Sequence, residues 1–288
     1  MISQIKYFLE YVGYLLLSFI VRIIPRRVLY NISYFLSYIN YFILKIRIDV
    51  VLNNLIIAFG GQCEFCNKSF LIRYFTNQIF CFMDYINAVN IPNERVLNLV
   101  KEVQLKGNFS KNGIFISGHF SNFMLLFRYI NYKLFPLAAI NKRQKNIKVN
   151  NDFYGKLTSK YNVPIYDMKR DLKKILRHDF SKYSLGILID QDAGKKGVMV
   201  NFLGREASTY KGAAFLVKKY KLPVYFSHIR LNNDLTYSIY IEELKINFDD
   251  SEESILECFN QKLSDFIRLY PFDWFWVHKR WKTQRSKS

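Results

Sequence analysis

The segment GIFISGHFSNFMLLFRYINY, residues 113–132, carries the pattern that decides the fold. Residues 113–117 are a short apolar run, which predicts a buried β-strand. The chain then passes a polar turn that contains His119, and residues 122–132 have the apolar spacing of a helix. A buried strand that leads directly into a helix is typical of a parallel βα unit.

The same alternation continues along the chain. The predicted strands are 136–140, 163–166, 185–189, 198–202, 224–230 and 236–242, and the predicted helices are 150–161, 171–178, 211–220 and 252–269. This order indicates an α/β fold with a single, largely parallel central sheet flanked by helices. The chain has no repeat, glycine-rich linker or low-complexity tract that would mark a second globular domain.

The N-terminal region is strongly apolar. Residues 11–21 carry no charge, and the stretch 5–24 is long enough to cross a membrane if its flanking charges reach the interfaces. No small-residue cleavage site follows, so we expect a single tilted membrane anchor or an interfacial helix rather than a signal peptide. Arg22, Arg26 and Arg27 follow the run, whereas only Lys6 precedes it, which predicts that the rest of the chain is cytoplasmic.

A second charge-free stretch covers residues 28–44 and is interrupted by asparagine and serine. It predicts an amphipathic helix that lies on the membrane or packs on the anchor, or else an ordinary buried core helix. We therefore expect N-terminal membrane-anchor and amphipathic helices at residues 1–48 and an α/β domain at residues 49–288.

Composition restricts the classes of function. The 288 residues are 50% hydrophobic, which excludes intrinsic disorder for most of the chain. A net charge of +19 predicts a polyanion, an anionic membrane surface or an acidic protein as partner. The 26 Phe and 21 Tyr favour the membrane interface, although a nucleotide bias of the genome would raise the same counts. Cys63 and Cys66 have the spacing of a zinc knuckle, but no second such pair follows, so we expect no metal.

Two candidate site segments begin where predicted strands end, and ligands bind at this edge of open α/β sheets. His119 is a candidate general base there, or simply caps the helix. The second segment, LIDQDAGKKG at residues 188–197, holds Asp190, Gln191 and Asp192 and is continued by NFLGR at residues 201–205. Such a loop could orient a base or bind an anionic head group; the alternative is a glycine-rich turn with solvated charges.

A third candidate segment is WFWVHKRWK, residues 274–282, which interleaves aromatic and basic side chains. This composition suits a lipid interface and also stacking on single-stranded nucleic acid. No recognition-helix or RNA-binding fingerprint accompanies it, so we do not expect a nucleic acid partner.

Together the three segments GHFSNF, LIDQDAGKKGVMVNFLGREAST and YPFDWFWVHKRWKT resemble the late acyltransferases of lipid A biosynthesis, within the lysophospholipid acyltransferase superfamily. The resemblance runs from about residue 10 to residue 283. It implies a glycerol-phosphate acyltransferase-like α/β fold and an enzyme at the cytoplasmic face of the inner membrane. That enzyme would move a fatty acyl chain from acyl carrier protein to a hydroxyl group of a lipid A precursor, an anionic glycolipid, without a cofactor.

The resemblance also implies roles for residues. His119 matches the histidine of the family's His-x4-Asp/Glu motif, which deprotonates the acceptor hydroxyl, and Asp190 and Asp192 would complete the catalytic site. The residues expected to contact substrate are Asn122, Gln191, Lys195, Lys196, Gly204, Arg205 and Arg280.

The chain departs from the family pattern at two places. Met124 stands at the motif's acidic position, and a thioether cannot balance an imidazolium. An arginine of the family has no clear match near residues 158–160, where Lys156 or Lys160 could replace it. Three accounts of Met124 stay open: Asp190 or Asp192 supplies the carboxylate, the enzyme is slow or altered in substrate, or the chain is a catalytically impaired, lipid-binding relative.

Overall fold

The computed structural model describes residues 2–61 and 63–284. The helices are α1 (Ile2–Ile23), α2 (Arg26–Ile39), α3 (Ile48–Phe59), α4 (Lys68–Asn87), α5 (Asn93–Leu99), α6 (Phe123–Lys133), α7 (Ile147–Tyr161), α8 (Leu172–Ile175), α9 (Gly212–Tyr220) and α10 (Glu252–Leu269). The strands are β1 (Val100–Lys106), β2 (Ile114–Ser117), β3 (Leu137–Asn141), β4 (Ile165–Asp167), β5 (Ser184–Leu188), β6 (Val198–Phe202), β7 (Arg205–Thr209), β8 (Val224–Leu231) and β9 (Tyr237–Leu244). Met1 and residues 285–288, the outer ends of the two expected regions, lie outside the described residues.

Seven strands form the central sheet in the order β1-β9-β8-β2-β5-β3-β4. Strands β8, β2, β5, β3 and β4 are parallel to one another, and β9 runs antiparallel to β8. All four residues of β2 are buried, as expected for a central strand that is covered on both faces. The predicted α/β fold with a mostly parallel sheet is confirmed.

Helices α3, α4 and α5 were not among the predicted elements. From residue 100 onward, the structure differs from the prediction at three main places. The helix predicted at residues 171–178 extends only over α8, because the chain turns after Ile175 and buries His178, whose Nε2 lies 2.9 Å from the carbonyl oxygen of Tyr183. Strand β1 escapes prediction because it lies at the sheet edge and is mostly exposed. Strand β7 also escaped prediction; it pairs with β6 in a separate two-stranded hairpin.

Pairing register brings four strand ends to one level of the sheet. Ser117 of β2 pairs with Leu188 of β5, and Asn141 of β3 pairs with Asp167 of β4. Strands β3 and β5 are in turn paired through Ala139 and Gly186, two residues before Asn141 and Leu188. The loops that follow β2, β5, β3 and β4 therefore leave the sheet side by side, at its carboxyl edge.

Helix α1 packs along the α/β domain with one face. Tyr14 donates a hydrogen bond of 2.9 Å to Asp152 of α7, and Val21 is buried in a cluster with Phe80 and Met83 of α4. The opposite face is apolar and exposed; it includes Ile5, Phe8, Leu9, Leu15, Leu16, Phe19, Ile20 and Ile23. Within the described part of the chain, the segment 4–23 is the one helix that is long and apolar enough to cross a membrane, which makes α1 a candidate anchor.

Helix α2 packs on α4 and continues into a π-helical turn, Asn40–Leu44. Its inner residues are buried, and Ser37 Oγ lies 2.9 Å from Thr76 Oγ1 of α4. Its outer face exposes Tyr34 and Phe35. The helix thus combines features of both alternatives drawn from its sequence, a core-packed face and an exposed aromatic face.

A buried ion pair and its hydrogen bonds connect the α1–α2 junction to the sheet. Arg26 at the start of α2 contacts Asp84 of α4 at 2.5 Å and also donates to the backbone carbonyl of Leu235. Asp84 accepts a further hydrogen bond of 2.7 Å from the hydroxyl group of Tyr237 in β9. Because Asp84 is 4% exposed, breaking this pair would leave a buried charge without its partner.

Candidate active site

His119 and Asp190 meet at the carboxyl edge of the sheet. His119 follows β2 by two residues, and Asp190 follows the neighbouring strand β5 by two residues. The His119 Nδ1 atom lies 2.7 Å from Asp190 Oδ1. The imidazole is partly open to solvent, with 21% of its side chain exposed, whereas the Asp190 side chain is 2% exposed.

Three donors converge on the Asp190 carboxylate. Besides the His119 ring, the backbone N–H of His119 donates to Oδ2 at 2.8 Å, and the indole N–H of Trp274 donates to Oδ2 at 2.7 Å. Burial alone raises the pKa of Asp190, but the charge and hydrogen bonds of His119 together with Trp274 lower it to about 2. A Cβ at Gly118 would lie 3.2 Å from Asp190 Oδ2 and 3.0 Å from Phe120, so a side chain there would require these neighbours to shift by a few tenths of an ångström.

The contact with Asp190 fixes which histidine nitrogen can act as a base. A carboxylate accepts from an N–H, so Nδ1 carries the proton and Nε2 keeps its lone pair. The Nε2 atom lies 3.3 Å from the side-chain amide nitrogen of Gln191. The rings of Phe123 and Phe275 flank the imidazole, with centroids 5.0 Å and 6.1 Å away. The arrangement can remove a proton from a hydroxyl group that approaches Nε2.

The C-terminal segment holds the loop that carries His119 in place through hydrogen bonds. Phe120 and Trp274 form an antiparallel backbone bridge, and Ser121 donates its backbone N–H to the Asp273 carbonyl at 2.7 Å. The Ser121 hydroxyl also donates to Asp273 Oδ1 at 2.8 Å. Ser121 has a φ of +37°, a left-handed conformation that is unusual for a non-glycine residue and is held here by Asp273.

Sequence reasoning missed the roles of Ser121, Asp273 and Trp274. The signal was present in the segment YPFDWFWVHKRWKT, where Asp273 directly precedes the candidate segment 274–282 and Trp274 is its first residue. Because the contact between this segment and residue 190 is long-range, only the folded chain reveals it.

The hydrogen bonds of Asp192 are made to residues other than His119. Its carboxylate accepts hydrogen bonds from the Thr283 hydroxyl at 2.9 Å and from the Gly194 backbone at 3.2 Å. The Asp192 backbone N–H donates to His278 Nε2 at 3.1 Å. Burial lowers the pKa of His278, which suits an imidazole that accepts this bond in its neutral form. Asp192 therefore connects the loop after β5 to the C-terminal segment.

Asn122 and Met124 belong to the framework of α6. Asn122 is the N-cap residue, and its side chain accepts a hydrogen bond of 3.1 Å from the Leu125 backbone. Met124 is 5% exposed and lies in an apolar cluster with Phe153 and Leu157 of α7. Met124, where the resemblance implies an acid, thus lies in an apolar cluster, and the carboxylate beside the imidazole follows the neighbouring strand of the sheet.

The basic residues expected to bind substrate fall into two groups. Arg280 is fully buried, and its guanidinium donates to the Ser208 carbonyl and, at 2.6 Å, to the Thr209 hydroxyl, so it holds β7 against the C-terminal segment. Burial lowers the pKa of Arg280 to about 10. Lys195, Lys196 and Arg205 are exposed. Gly204 is also exposed, at the β6–β7 turn, with a φ of +90°.

Metal ligands and thiols are sparse. The structure of residues 2–61 and 63–284 contains no group of three or more His, Cys, Asp or Glu side chains that could hold a metal ion. Cys63 and Cys66 are half-buried free thiols joined by a backbone turn, in which the Cys66 N–H donates to the Cys63 carbonyl at 3.0 Å.

Comparison with protein-family models gives a match over nearly the whole chain. The family model described as bacterial lipid A biosynthesis acyltransferase matches residues 2–283, which is nearly the whole chain. No curated protein is significantly similar to the chain.

Proposed function

The chain belongs to the bacterial lipid A biosynthesis acyltransferase family, and we propose that it transfers a fatty acyl chain from acyl carrier protein to a hydroxyl group of a lipid A precursor at the cytoplasmic face of the inner membrane. The observation that carries this proposal is the contact between His119 Nδ1 and Asp190 Oδ1. It leaves the Nε2 lone pair to accept a proton from an acceptor hydroxyl that replaces the Gln191 amide, which lies 3.3 Å away. The net charge of +19 supports an acidic carrier protein and an anionic lipid as partners.

In the proposed reaction His119 Nε2 removes the proton from the acceptor hydroxyl while its oxygen attacks the thioester carbonyl of the donor. The new ester forms, the carbon–sulfur bond breaks, and the imidazolium returns the proton to the thiolate of the carrier. Asp190 stays ionised throughout, orients the ring and stabilises the imidazolium. The Asp190 pKa of about 2 supports this assignment, since the carboxylate keeps its charge at neutral pH.

We assign to Asp190 the role that Met124 cannot take. The family motif expects an acid five residues after the histidine, whereas in this chain Asp190 lies at hydrogen-bond distance from the ring. Asp192, whose carboxylate contacts Thr283 and Gly194, is assigned a loop-ordering role. Gln191, Lys195, Lys196 and Arg205 remain the proposed substrate contacts on the same loop and hairpin.

The test is turnover by the full-length protein, purified in detergent, with acyl carrier protein and coenzyme A thioesters offered as alternative donors. We expect a new ester on the glycolipid with the carrier-protein donor, and its loss in His119→Ala and His119→Gln. Wild-type protein that is folded and transfers no acyl chain to any lipid A precursor would contradict the proposal. In cells, a deletion strain fully rescued by His119→Ala would instead favour the catalytically impaired, lipid-binding alternative that Met124 motivates.

We further propose that α1 holds the enzyme on the membrane by lying along the interface. The Tyr7 carbonyl accepts a hydrogen bond of 2.8 Å from Asn146, Tyr14 contacts Asp152, and Ser18 accepts one of 3.0 Å from Asn90. A spanning helix of this length rises about 30 Å through the bilayer and could not keep contacts with one domain over most of that length. The exposed apolar face of α1 and the aromatic face of α2 support an interfacial position.

An interfacial α1 and a membrane-spanning α1 place the N-terminus on different sides of the membrane, so locating the N-terminus distinguishes them. A fluorescent protein that folds only in the cytoplasm, fused to the N-terminus of the full chain, should be bright if α1 is interfacial. A dark fusion, together with an active periplasmic phosphatase at the same position, would show that α1 spans the membrane.

A further inference from the structure

Helices α2 and α4 border a groove that the proposed reaction does not use. Its volume is about 730 Å³, and it adjoins a smaller cavity at the β8–β9 turn. We call it the tyrosine groove; the lining residues that matter here are Tyr30, Tyr34, Tyr38, Lys68, Arg73 and Asn233. We propose that the tyrosine groove binds the head group of an anionic glycerophospholipid of the bilayer. This inference does not depend on acyl transfer; it deepens the interfacial position proposed above by naming the lipid that is bound.

Lys68 and Arg73 bring two positive charges to the groove. Both side chains are exposed, and neither forms an ion pair within residues 2–61 and 63–284. Lys68 Nζ lies 4.7 Å from the centre of the Phe42 ring, and the Arg73 guanidinium lies 4.6 Å from that of Phe272. Arg73 also donates a long hydrogen bond of 3.4 Å to the neutral Asn233 side chain. These contacts orient the cations without neutralising them, so the groove favours an anion.

Acidic side chains near the groove leave this charge largely in place. No Asp or Glu lines the groove in the part of the chain that the structure describes. Asp234 of the β8–β9 turn is paired with Lys101 and accepts a hydrogen bond of 3.1 Å from the Thr236 backbone. Asp273 interacts electrostatically with Arg73, but burial raises the pKa of Asp273 to about 7. At neutral pH its carboxyl group is therefore only partly ionised.

Phenol groups give the groove hydrogen-bonding capacity. The hydroxyl oxygens of Tyr34 and Tyr38 lie 3.0 Å apart, so one proton serves this pair and the other can be donated to a ligand. Tyr30 donates to Asn77 Oδ1 at 3.3 Å, which leaves its oxygen able to accept. A glycerophosphate head group matches this set, since its phosphate oxygens accept and its glycerol hydroxyl groups donate. The volume is that of a small-molecule site and exceeds what a single ion needs.

The groove opens beside the surface that we place at the membrane. Tyr34 and its neighbour Phe35 are 49% and 64% exposed, and Phe42, beneath Lys68, is 53% exposed. Helices α1 and α2 both pack on α4, and both expose apolar side chains. Aromatic rings next to cations are typical of the lipid interface. These neighbours favour a bilayer lipid over an acidic protein, because its acyl chains can cover the apolar side chains while its phosphate enters the groove.

The C-terminal segment lies between the groove and the loop that carries His119. Phe272 contacts Arg73 on the groove side, whereas the next residue, Asp273, accepts a hydrogen bond of 2.8 Å from the Ser121 hydroxyl. The Nε2 atom of His119 faces Gln191 of the loop after β5. The lipid in the groove is therefore not a reactant of the proposed transfer, and we assign it a role in attachment to the membrane.

The experiment is native mass spectrometry of the full chain in detergent, titrated with phosphatidylglycerol or with phosphatidylcholine. The groove variant is Lys68→Gln/Arg73→Gln. Its matched control is Lys111→Gln/Lys245→Gln, which removes the same charge: both residues are exposed, and they precede β2 and follow β9, at the opposite edge of the sheet. Tyr34→Phe/Tyr38→Phe is a second test, because it keeps the rings and removes the hydroxyl groups.

We expect the wild type to bind one phosphatidylglycerol about thirtyfold more tightly than phosphatidylcholine, and the groove variant to lose this preference. The phenylalanine variant should bind phosphatidylglycerol about fivefold more weakly, because a hydrogen-bond donor is lost. The control should match the wild type. Equal wild-type affinity for the two lipids, or equal losses in the groove and control variants at equal thermal stability, would overturn the proposal.

Two competitors distinguish other sources of the same chemistry. Glycerol phosphate that binds as tightly as phosphatidylglycerol would show that the groove takes a soluble ligand, and a phosphorylated lipid A precursor that displaces phosphatidylglycerol would show that it takes the acceptor. Either result overturns the proposal. Because the readout is lipid binding, a protein without acyltransferase activity, or one whose α1 spans the membrane, still gives a decisive result. Where the protein is active, the groove variant should keep kcat and the acceptor KM in detergent.

Discussion

His119 and Asp190 are 71 residues apart in the sequence, yet His119 Nδ1 lies 2.7 Å from Asp190 Oδ1. The two meet because β2 and β5 are parallel neighbours in which Ser117 pairs with Leu188, and each residue follows its strand end by two positions. The base and its orienting carboxylate therefore come from adjacent strands of the sheet. A local motif on one helix would place both groups within the same short segment.

Asp190→Asn should lower kcat by about 10³ to 10⁴, because an amide cannot hold the Nδ1–H tautomer or stabilise the imidazolium. Turnover of the purified variant with the carrier-protein donor measures this effect. Asp192→Asn is the comparison, and it should lose far less activity, since its carboxylate contacts Thr283 and Gly194. Equal losses in the two variants would contradict the assignment of Asp190 as the orienting group.

Met124→Glu, which introduces a carboxyl group at the position where the resemblance implies an acid, should not raise activity. Met124 is 5% exposed among Phe153, Leu157 and other apolar side chains, so the variant buries a carboxyl group without a partner. We expect the free energy of unfolding to fall by about 2–4 kcal/mol. Denaturant unfolding and turnover of Met124→Glu and Met124→Leu would measure both effects. A gain in activity for the glutamate variant would mean that the motif position can still serve His119.

Trp274→Phe should lower kcat by about tenfold, because Asp190 Oδ2 loses the indole donor that lies 2.7 Å away. Trp281→Phe is the matched control: that indole is buried nearby, and its N–H has no acceptor among the described residues. Comparison of kcat for the two variants at equal thermal stability tests the role of the hydrogen bond. Similar kcat losses would mean that ring packing, and not the bond to Asp190, matters.

Asp273→Asn should stabilise the protein at alkaline pH. Burial raises the pKa of Asp273 to about 7, so the folded chain holds this proton at pH values where the unfolded chain has lost it. The free energy of unfolding should therefore decrease as pH rises from about 4 to 7 and then level off. Asparagine mimics the protonated form and removes this contribution, with a gain on the order of a few kcal/mol at pH 8.

Unfolding of wild type and Asp273→Asn at pH 5 and pH 8 measures this difference, with exposed Asp249→Asn as control. The variant's advantage should grow with pH. A constant difference between the two pH values would show that Asp273 keeps its charge in the folded protein.

Several features were readable from single segments of the sequence. Alternating apolar runs and helical spacing predicted the parallel sheet, and strand-end positions singled out His119 and the loop that starts with Asp190. Methionine at residue 124, where the resemblance implies an acid, suggested that His119 lacks a partner. A sequence motif describes only local spacing, so it could not show that Asp190 contacts the ring. Edge strand β1 escaped prediction since its residues are mostly exposed, and the helix predicted at residues 171–178 was shortened by burial of His178.

The sequence by itself determined the fold class, the apolar N-terminal helix and the family to which the chain belongs, because each follows from local periodicity or from linear motifs. Only the tertiary structure decided which carboxylate meets His119 and that Trp274 and Asp273 support that loop. The physical reason is strand register. Side chains far apart in the chain come within hydrogen-bond distance only after the parallel strands have paired and their carboxyl ends lie at one level.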